Sequence, residues 1–270
     1  MEIIIEKGKI ERQYWRDIWR YRELMLFLAW RDILIRYKQT FIGVGWAVIR
    51  PLLTMFVLTV VFGVVARMPS GTSPYPVLVF SAMVPWQFFA SAFSDSGSSL
   101  IANSGMISKI YFPRLIIPVS GVITSLVDFM ISFVLLLLLM WIYQCPIHLS
   151  ILALPFFVIL AVGAALGAGL WASSLMVAYR DIRYIIPFIV QFGLYISPVG
   201  FSSHVIPEKW KIWYSLNPMV GVIDGFRWSI LGDNSPFIPS IISSVLIVLV
   251  LIATGIRYFR ATEKTFADVI

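Results

Sequence analysis

Six apolar stretches, at about 42–66, 76–97, 115–143, 151–178, 185–198 and 237–258, constrain this chain more than any other feature. All but the fifth reach the 18 or more residues that a helix needs to cross a hydrocarbon core of about 30 Å. Composition agrees. The 270 residues are 59% apolar and 13% charged, with a mean hydropathy of +0.87, whereas a soluble domain carries about 25% charged residues. There is room for several spans and none for a separate soluble domain. The expected fold is an all-α integral membrane protein with six transmembrane helices. An N-terminal amphipathic interface helix precedes them, and short re-entrant helices lie between spans five and six. The expected units are residues 1–40 (cytoplasmic N-terminus with that helix), 41–260 (the transmembrane domain) and 261–270 (a cytoplasmic tail).

Several function classes fall away early. Glu2, Glu6, Lys7, Lys9 and Glu11 do not make the basic, then apolar, then small-residue pattern of a signal peptide. The single cysteine, Cys145, forms no internal disulfide, and His148 and His204 have no nearby Cys or His to complete a metal site. The net charge of +7 reads as a topology signal and not as a nucleic-acid footprint. Eleven Lys/Arg sit at the chain ends and in the loops at 98–114 and 179–184: Arg31, Arg36, Lys38, Arg50, Lys109, Arg114, Arg180, Arg183, Arg257, Arg260 and Lys264. The opposite loops carry four: Arg67, Lys209, Lys211 and Arg227. Positive-inside then places both termini and those two loops in the cytoplasm. That requires six crossings.

The fifth segment therefore crosses with help. In YRDIRYIIPFIVQFGLYISPVG, three charges (Arg180, Asp181, Arg183) abut an apolar run that stops at Ser197-Pro198. Its roughly 22 Å falls short of the core. Downstream, Pro207 and Glu208 suit a helix start, and Asn217-Pro218 ends that helix. Asp224 and Arg227, three apart, can pair on a second short helix. Two such helices, carrying Trp210 and Trp213, would dip into the outer leaflet as a re-entrant gate. Irregular backbone is tolerated there where protein or a cavity surrounds it.

At the other end, residues 11–38 read as one amphipathic helix. Trp15, Ile18, Trp19, Leu26, Ala29, Trp30, Ile33 and Tyr37 recur at helical spacings, with Arg12, Arg16, Arg20 and Arg31 between them. The stretch ANSGMISKIYFPR combines a short helix capped by Asn103 or Ser104 with an apolar face (Met106, Ile107, Ile110, Phe112) and two charges (Lys109, Arg114). An apolar knob on a basic stem suits docking of another protein. With Arg180, Asp181 and Arg183 beside it, the expected contact surface is complete.

No phosphate-cradling G-x-x-x-x-G-K-[ST] motif occurs, and GAALGAG (Gly163–Gly169) lies inside a span, where small-xxx-small spacing means close helix packing. No acid/base or nucleophile set is visible, so catalysis by this chain is not expected. Three features point to transport. Asp128 falls mid-span, where an acid marks a functional site or an interhelical hydrogen bond. Arg50 either snorkels to headgroups or lines a cavity and meets a lipid phosphate. Aromatic residues make up 15% of the chain; Trp86, Phe88, Phe89 and Phe93 follow Pro85, and Phe188, Phe192 and Tyr195 share one face of the short span. Aromatic faces can stack on passing sugar rings, or serve as interfacial belts.

Four stretches together carry a resemblance: WRDILIRYKQTFIGVGWAVIRPLLTMFVLTVVFG, SGMISKIYFPR, YRDIRYIIPFIVQFGLYISPVG and SLNPMVGVIDGFRWSILG. Over about Trp30 to Arg260 the chain resembles the permease of polysaccharide-exporting ATP-binding-cassette transporters, the group of O-antigen, capsule and teichoic-acid exporters. Arg50 departs from that pattern, which would have a neutral polar residue such as Gln. The resemblance implies a homodimer of six-helix subunits with two copies of a separate cytoplasmic ATPase, which alone binds ATP and magnesium. It implies a gate helix at the membrane surface, a coupling helix between spans two and three, and an outer gate of re-entrant helices, all in the bacterial inner membrane. The substrate would be a polysaccharide on undecaprenyl diphosphate or another lipid, its phosphates met by Arg31, Arg36 and Lys38. The channel would be lined by Phe188, Phe192 and Tyr195 and tilted open by pushes on the 102–114 and 179–184 loops. Alternatives are a multidrug or small-lipid exporter, a proton-coupled secondary transporter using Asp128, and a membrane glycan-handling enzyme.

Overall fold

The computed structural model describes residues 10–38, 43, 45–69, 71, 73–107, 109–232, 236–263 and 266. Among the described residues there is no strand; every regular element is a helix. Two N-terminal helices, α1 (Ile10–Arg20) and α2 (Arg22–Lys38), meet at Tyr21, where a single helix over 11–38 was expected. The backbone bonds Tyr21 N–H to Asp17 O and Met25 N–H to Tyr21 O keep the two in close succession.

Among the described residues, five segments are long and apolar enough to cross a membrane. The first joins α3 (Gly45–Leu58) to a π-helical stretch, Thr59–Val65. The others are α4 (Tyr75–Ala102), α6 (Ile116–Ile142), α7 (Leu154–Ala178) with a 3-10 turn before it, and α11 (Ile238–Thr262). The four-residue α5 (Ser104–Ile107) lies between α4 and α6. The apolar α8 (Ile182–Ile196) has 15 residues and follows directly on the charge cluster. After it come α9 (Glu208–Tyr214) and α10 (Pro218–Leu231). Lys264, Gln39 to Ile42, and the first nine residues lie outside the described set.

α4 is the central post. It packs on α6 and α7, and α11 lies against the far side of α7. Small residues permit these approaches: a Cβ on Gly163 would lie 2.8 Å from Val248, and one on Gly167 2.9 Å from the backbone of Ile252. Gly163 and Gly167 thus form the α7–α11 seam, as their spacing predicts, while Gly169 gives room to Ser96 of α4. At one end of the bundle α10 is buried almost throughout, wedged against α4, α7 and α11. At the other end, Leu28, Leu100, Ile107, Phe112, Ile116, Leu170 and Phe259 form a second core that fastens α2 and the α4–α6 loop to the bundle. Glu263 binds this end together: Tyr14 Oη donates to its carboxylate at 3.0 Å, as does the Arg114 amide at 2.9 Å. Burial, and then the nearby Glu263 charge, raise the Tyr14 phenol above its ordinary range.

By contrast α3 and α8 are barely covered. Leu53, Phe56, Val57 and Val64 on the first span, and Phe188, Phe192 and Tyr195 on α8, are exposed. α8 reaches the bundle through Ile186, Val190 and Leu194, and through Gly193, over which the Trp86 ring lies.

Candidate functional site

Between α3 and α8, floored by α4 and α6, lies a cavity of about 730 Å³. Its walls are polar for a hydrocarbon setting: Arg50 and Thr54 from α3, Gln87, Ser91, Ser94 and Asp95 from α4, Asp128 and Ser132 from α6, and Gln191 from α8. Trp46, Trp86 and Phe88 add aromatic surface. The α8 sequence positions this wall. At 3.6 residues per turn, Val190, Gln191 and Leu194 turn to the cavity while Phe188, Phe192 and Tyr195 form the outer face.

At one end of the cavity the last turn of α2 supplies a cation. Arg36 donates to Asp95 Oδ2 at 2.7 Å and also bonds Asp128, which accepts a further bond from Tyr37 Oη. Ser125 Oγ donates to the same Asp95 oxygen at 2.8 Å. One guanidinium thereby joins α2, α4 and α6. Burial works against the Arg36 charge, but the two carboxylates outweigh it and hold the group above its ordinary range. Burial and the Asp128 bond keep the Tyr37 phenol protonated by raising it. Arg36 and Asp95 also line a second hollow of about 340 Å³ that runs toward Arg31 and Asn103, so the cluster is the partition between two cavities.

The sequence matches the model of the ABC-2 type transporter family over residues 23–231. The chain belongs to the ABC-2 type transporter family. Among curated relatives, the O-antigen export system permease protein RfbA of Klebsiella pneumoniae is 27% identical over 250 residues, 92% of this chain and 95% of that protein. RfbA of Myxococcus xanthus is 24% identical over 94% of this chain and 97% of its own length. The polysialic acid transport protein KpsM of Escherichia coli is 23% identical over 88% and 92%, respectively. An ABC-2 permease is a multi-pass membrane subunit and not itself an ATPase.

Within this ABC-2 fold the residues singled out from sequence separate by position. On the α4–α6 loop, Ile107 and Phe112 are buried anchors, Ser104 and Met106 are half-buried, and Lys109 is exposed. The exposed knob is Ile110 with Tyr111, the latter 90% exposed. Phe112 therefore does not belong to an outward apolar face; a second core needs it. Arg114 bonds the Glu263 carbonyl and stacks 6.0 Å from the Phe266 ring, so it is a brace. Asn103 does not cap α5 with its side chain: Nδ2 donates to Ser99 O at 2.9 Å, and Oδ1 accepts from Arg31 at 2.8 Å. Arg180, Asp181 and Arg183 are exposed, flanked by exposed Tyr179 and Tyr184.

The basic set divides as well. Arg31 is held by Asp32 and Asn103, Arg36 by two acids, whereas Lys38 is exposed and Arg50 lies 5.5 Å over the Trp46 ring. Trp86 is buried at the cavity, and Phe89, also buried, does not line it. Trp210 and Trp213 are exposed; Asp224 and Arg227 are buried with 3.9 Å between them. Arg227 reaches on to the end of α8, donating to Pro198 O at 2.8 Å and Phe201 O at 3.3 Å. Asn217 caps α10 through Met219 N–H and donates to Ser197 Oγ at 2.9 Å. The Arg227 bonds satisfy two carbonyls just beyond the end of α8.

Asp95, Gln87 and Gln191 were not singled out from sequence, and Tyr37 was read only as part of the amphipathic helix over 11–38. Asp95 carries the signal that flagged Asp128: an acid inside an apolar stretch, in SAFSDSG.

Proposed function

We propose that this chain is the transmembrane subunit of an ATP-driven exporter that moves a lipid-linked polysaccharide, O-antigen foremost, across the bacterial inner membrane. The end-to-end similarity to O-antigen export permeases carries this reading. The similarity to a polysialic acid transport protein favours a capsular polysaccharide as the second reading.

In this reading two copies face each other across their least covered spans, α3 and α8. A long apolar face left uncovered within one protomer is the expected mark of such a seam. α8 is the sixth crossing, completed by α9 and α10 dipping back into the outer leaflet. Arg227 supports this arrangement, because backbone broken at that depth must be satisfied by protein. Both termini lie in the cytoplasm. α2 is the interface helix, with Leu26, Phe27 and Trp30 toward lipid and Leu28 toward protein. Two separate ATPase subunits, which bind ATP and magnesium, seat on Ile110, Tyr111, Lys109 and the Arg180–Arg183 turn. Their closure tilts α3 and α8, and the glycan advances past Phe188, Phe192 and Tyr195 with the polar cavity behind them. The lipid phosphates are met by Lys38 and Arg50. Arg36 joins them when its carboxylates release it.

The test is deletion of the gene followed by mass spectrometry of inner-membrane lipids. Accumulation of a lipid-linked glycan on the cytoplasmic side, reversed by the wild-type gene, is expected. A mutant with normal surface glycan and no accumulated intermediate overturns the reading.

A further inference from the structure

Glu263 closes α11, in a stretch whose sequence suggests no more than a tail. Its carboxylate takes one donor on each oxygen: Tyr14 Oη of α1 at 3.0 Å on Oε2, and the Arg114 amide at 2.9 Å on Oε1. Its backbone carbonyl accepts from the Arg114 guanidinium. The two partners lie 249 and 149 residues away, so one side chain ties α1 and α11 to the α4–α6 loop. Hydrogen bonds to a carboxylate are roughly twice as strong as neutral ones. Gripping Arg114 by its backbone and by its side chain fixes an orientation as well as a distance. Further contacts close the joint. Arg260 lies 4.8 Å over the Tyr14 ring, and buried Phe266 meets both Phe259 and the Arg114 guanidinium. Leu115 opens α6 without a side-chain cap, so the Glu263 charge stands just ahead of a helix N-terminus, where it is favoured.

This joint stands three residues from the exposed knob of Ile110 and Tyr111. Between them Phe112 is buried and Pro113 has a restricted φ; on the knob's other side Ile107 is buried. The knob is therefore the tip of a short stem clamped at both ends. We propose that Glu263 is a positioning residue for energy coupling. It locks the knob to α1 and α11, so that a push on the loop moves those helices. Without it the loop yields by itself and the push is absorbed locally. Glu263 is half-buried and acts through Arg114 and Tyr14. The coupling role rests on the reading that the ATPase seats on Ile110 and Tyr111; the joint itself does not.

Two measurements on the full chain test this. For the first, Cys145→Ala with Arg16→Cys and Lys109→Cys places spin labels on exposed positions of α1 and the loop. Labelled chain is diluted in unlabelled chain in nanodiscs, and pulsed electron resonance reads the distance between the labels. Its distribution should be narrow, should broaden with Glu263→Ala, and should stay narrow with Glu263→Gln. A Gln amide still accepts from the Arg114 N–H and can meet the Tyr14 hydroxyl. The second measurement uses the complex with its ATPase in vesicles. It follows the lipid-linked glycan that accumulates in the deletion strain, as glycan moved per ATP hydrolysed. Glu263→Ala should keep the ATPase attached and lower that ratio about tenfold, while Glu263→Gln stays within about twofold of wild type. If Glu263→Ala does not fold, Tyr14→Phe, which removes one of the two carboxylate bonds, should lower the ratio about threefold. A ratio unchanged in the folded variant overturns the proposal, even if assembly or melting temperature falls. So does a distribution that Glu263→Ala leaves narrow. Either result leaves the docking reading standing. An ATPase that still co-purifies after Ile110→Asp with Tyr111→Asp would sink the docking reading and the coupling role together.

Discussion

Two groups of buried charge solve opposite problems. Arg36, Asp95 and Asp128 come from three helices far apart in sequence, with a bond of 2.7 Å to Asp95 and side chains still about a third open. Asp224 and Arg227 lie three residues apart on one helix, at 3.9 Å and almost fully enclosed. The first cluster makes its hydrogen bonds across elements and so acts as a fastening that competes with an incoming anion. The second pairs loosely and turns its guanidinium to the carbonyls after α8. Where charge bridges elements it fixes their arrangement; where it stays within one element it can serve the backbone of a neighbouring segment.

That contrast can be broken in order of expected size. Arg227→Leu should be the most damaging, about 3–5 kcal/mol, because it strands the enclosed Asp224 charge and frees the Pro198 carbonyl. Thermal unfolding in detergent measures it, and a loss under about 1 kcal/mol would mean the pair is not enclosed. Arg36→Met should cost less, about 2 kcal/mol, because solvent reaches this cluster. Adding Asp95→Asn and Asp128→Asn should restore most of that stability, yet leave substrate-stimulated ATP hydrolysis uncoupled. If the triple variant couples normally, the cluster is packing and no fastening.

The smaller effects sharpen the division between the two ends. Ile110→Asp with Tyr111→Asp should leave unfolding within about 0.5 kcal/mol of wild type, both side chains being exposed. The ATPase subunit should no longer co-purify. Trp213→Asp, exposed at the opposite end, should keep that subunit attached. Smallest of all is Glu208, whose carboxyl is held below its ordinary range by the hydrogen bond and charge of Lys211. Its contribution is complete above the unfolded value of about 4.3 and fades as pH falls through the lower folded value. Glu208→Gln should therefore flatten the stability profile slightly in acid and change nothing at pH 7.

How much of this was legible depends on what kind of signal a residue leaves. The long spans announce themselves through apolar length, and the α7–α11 seam through GAALGAG. Pro207 marked the start of α9, and Asn217-Pro218, expected to end that helix, instead opens α10, α9 having stopped at Tyr214. Burial within loops left no such mark. Ile107 and Phe112 look like Ile110 and Tyr111 in sequence, and their separation depends on α2 and α11 arriving from distant parts of the chain. The partners of Asp128 were equally hidden, since Arg36 lies 92 residues away and in sequence resembles any other cytoplasmic cation. Period alone showed that α8 has two faces. Which one meets the cavity depends on Trp86 packing over Gly193.

Reconstitution tests the central claim most directly, that one copy supplies half a passage and no fuel. The chain is placed in vesicles with a fluorescent lipid-linked glycan, with or without its ATPase subunit. ATP-dependent movement of the glycan to the far leaflet should occur with the ATPase and cease without it. Sustained uphill movement by the permease chain alone would contradict the account.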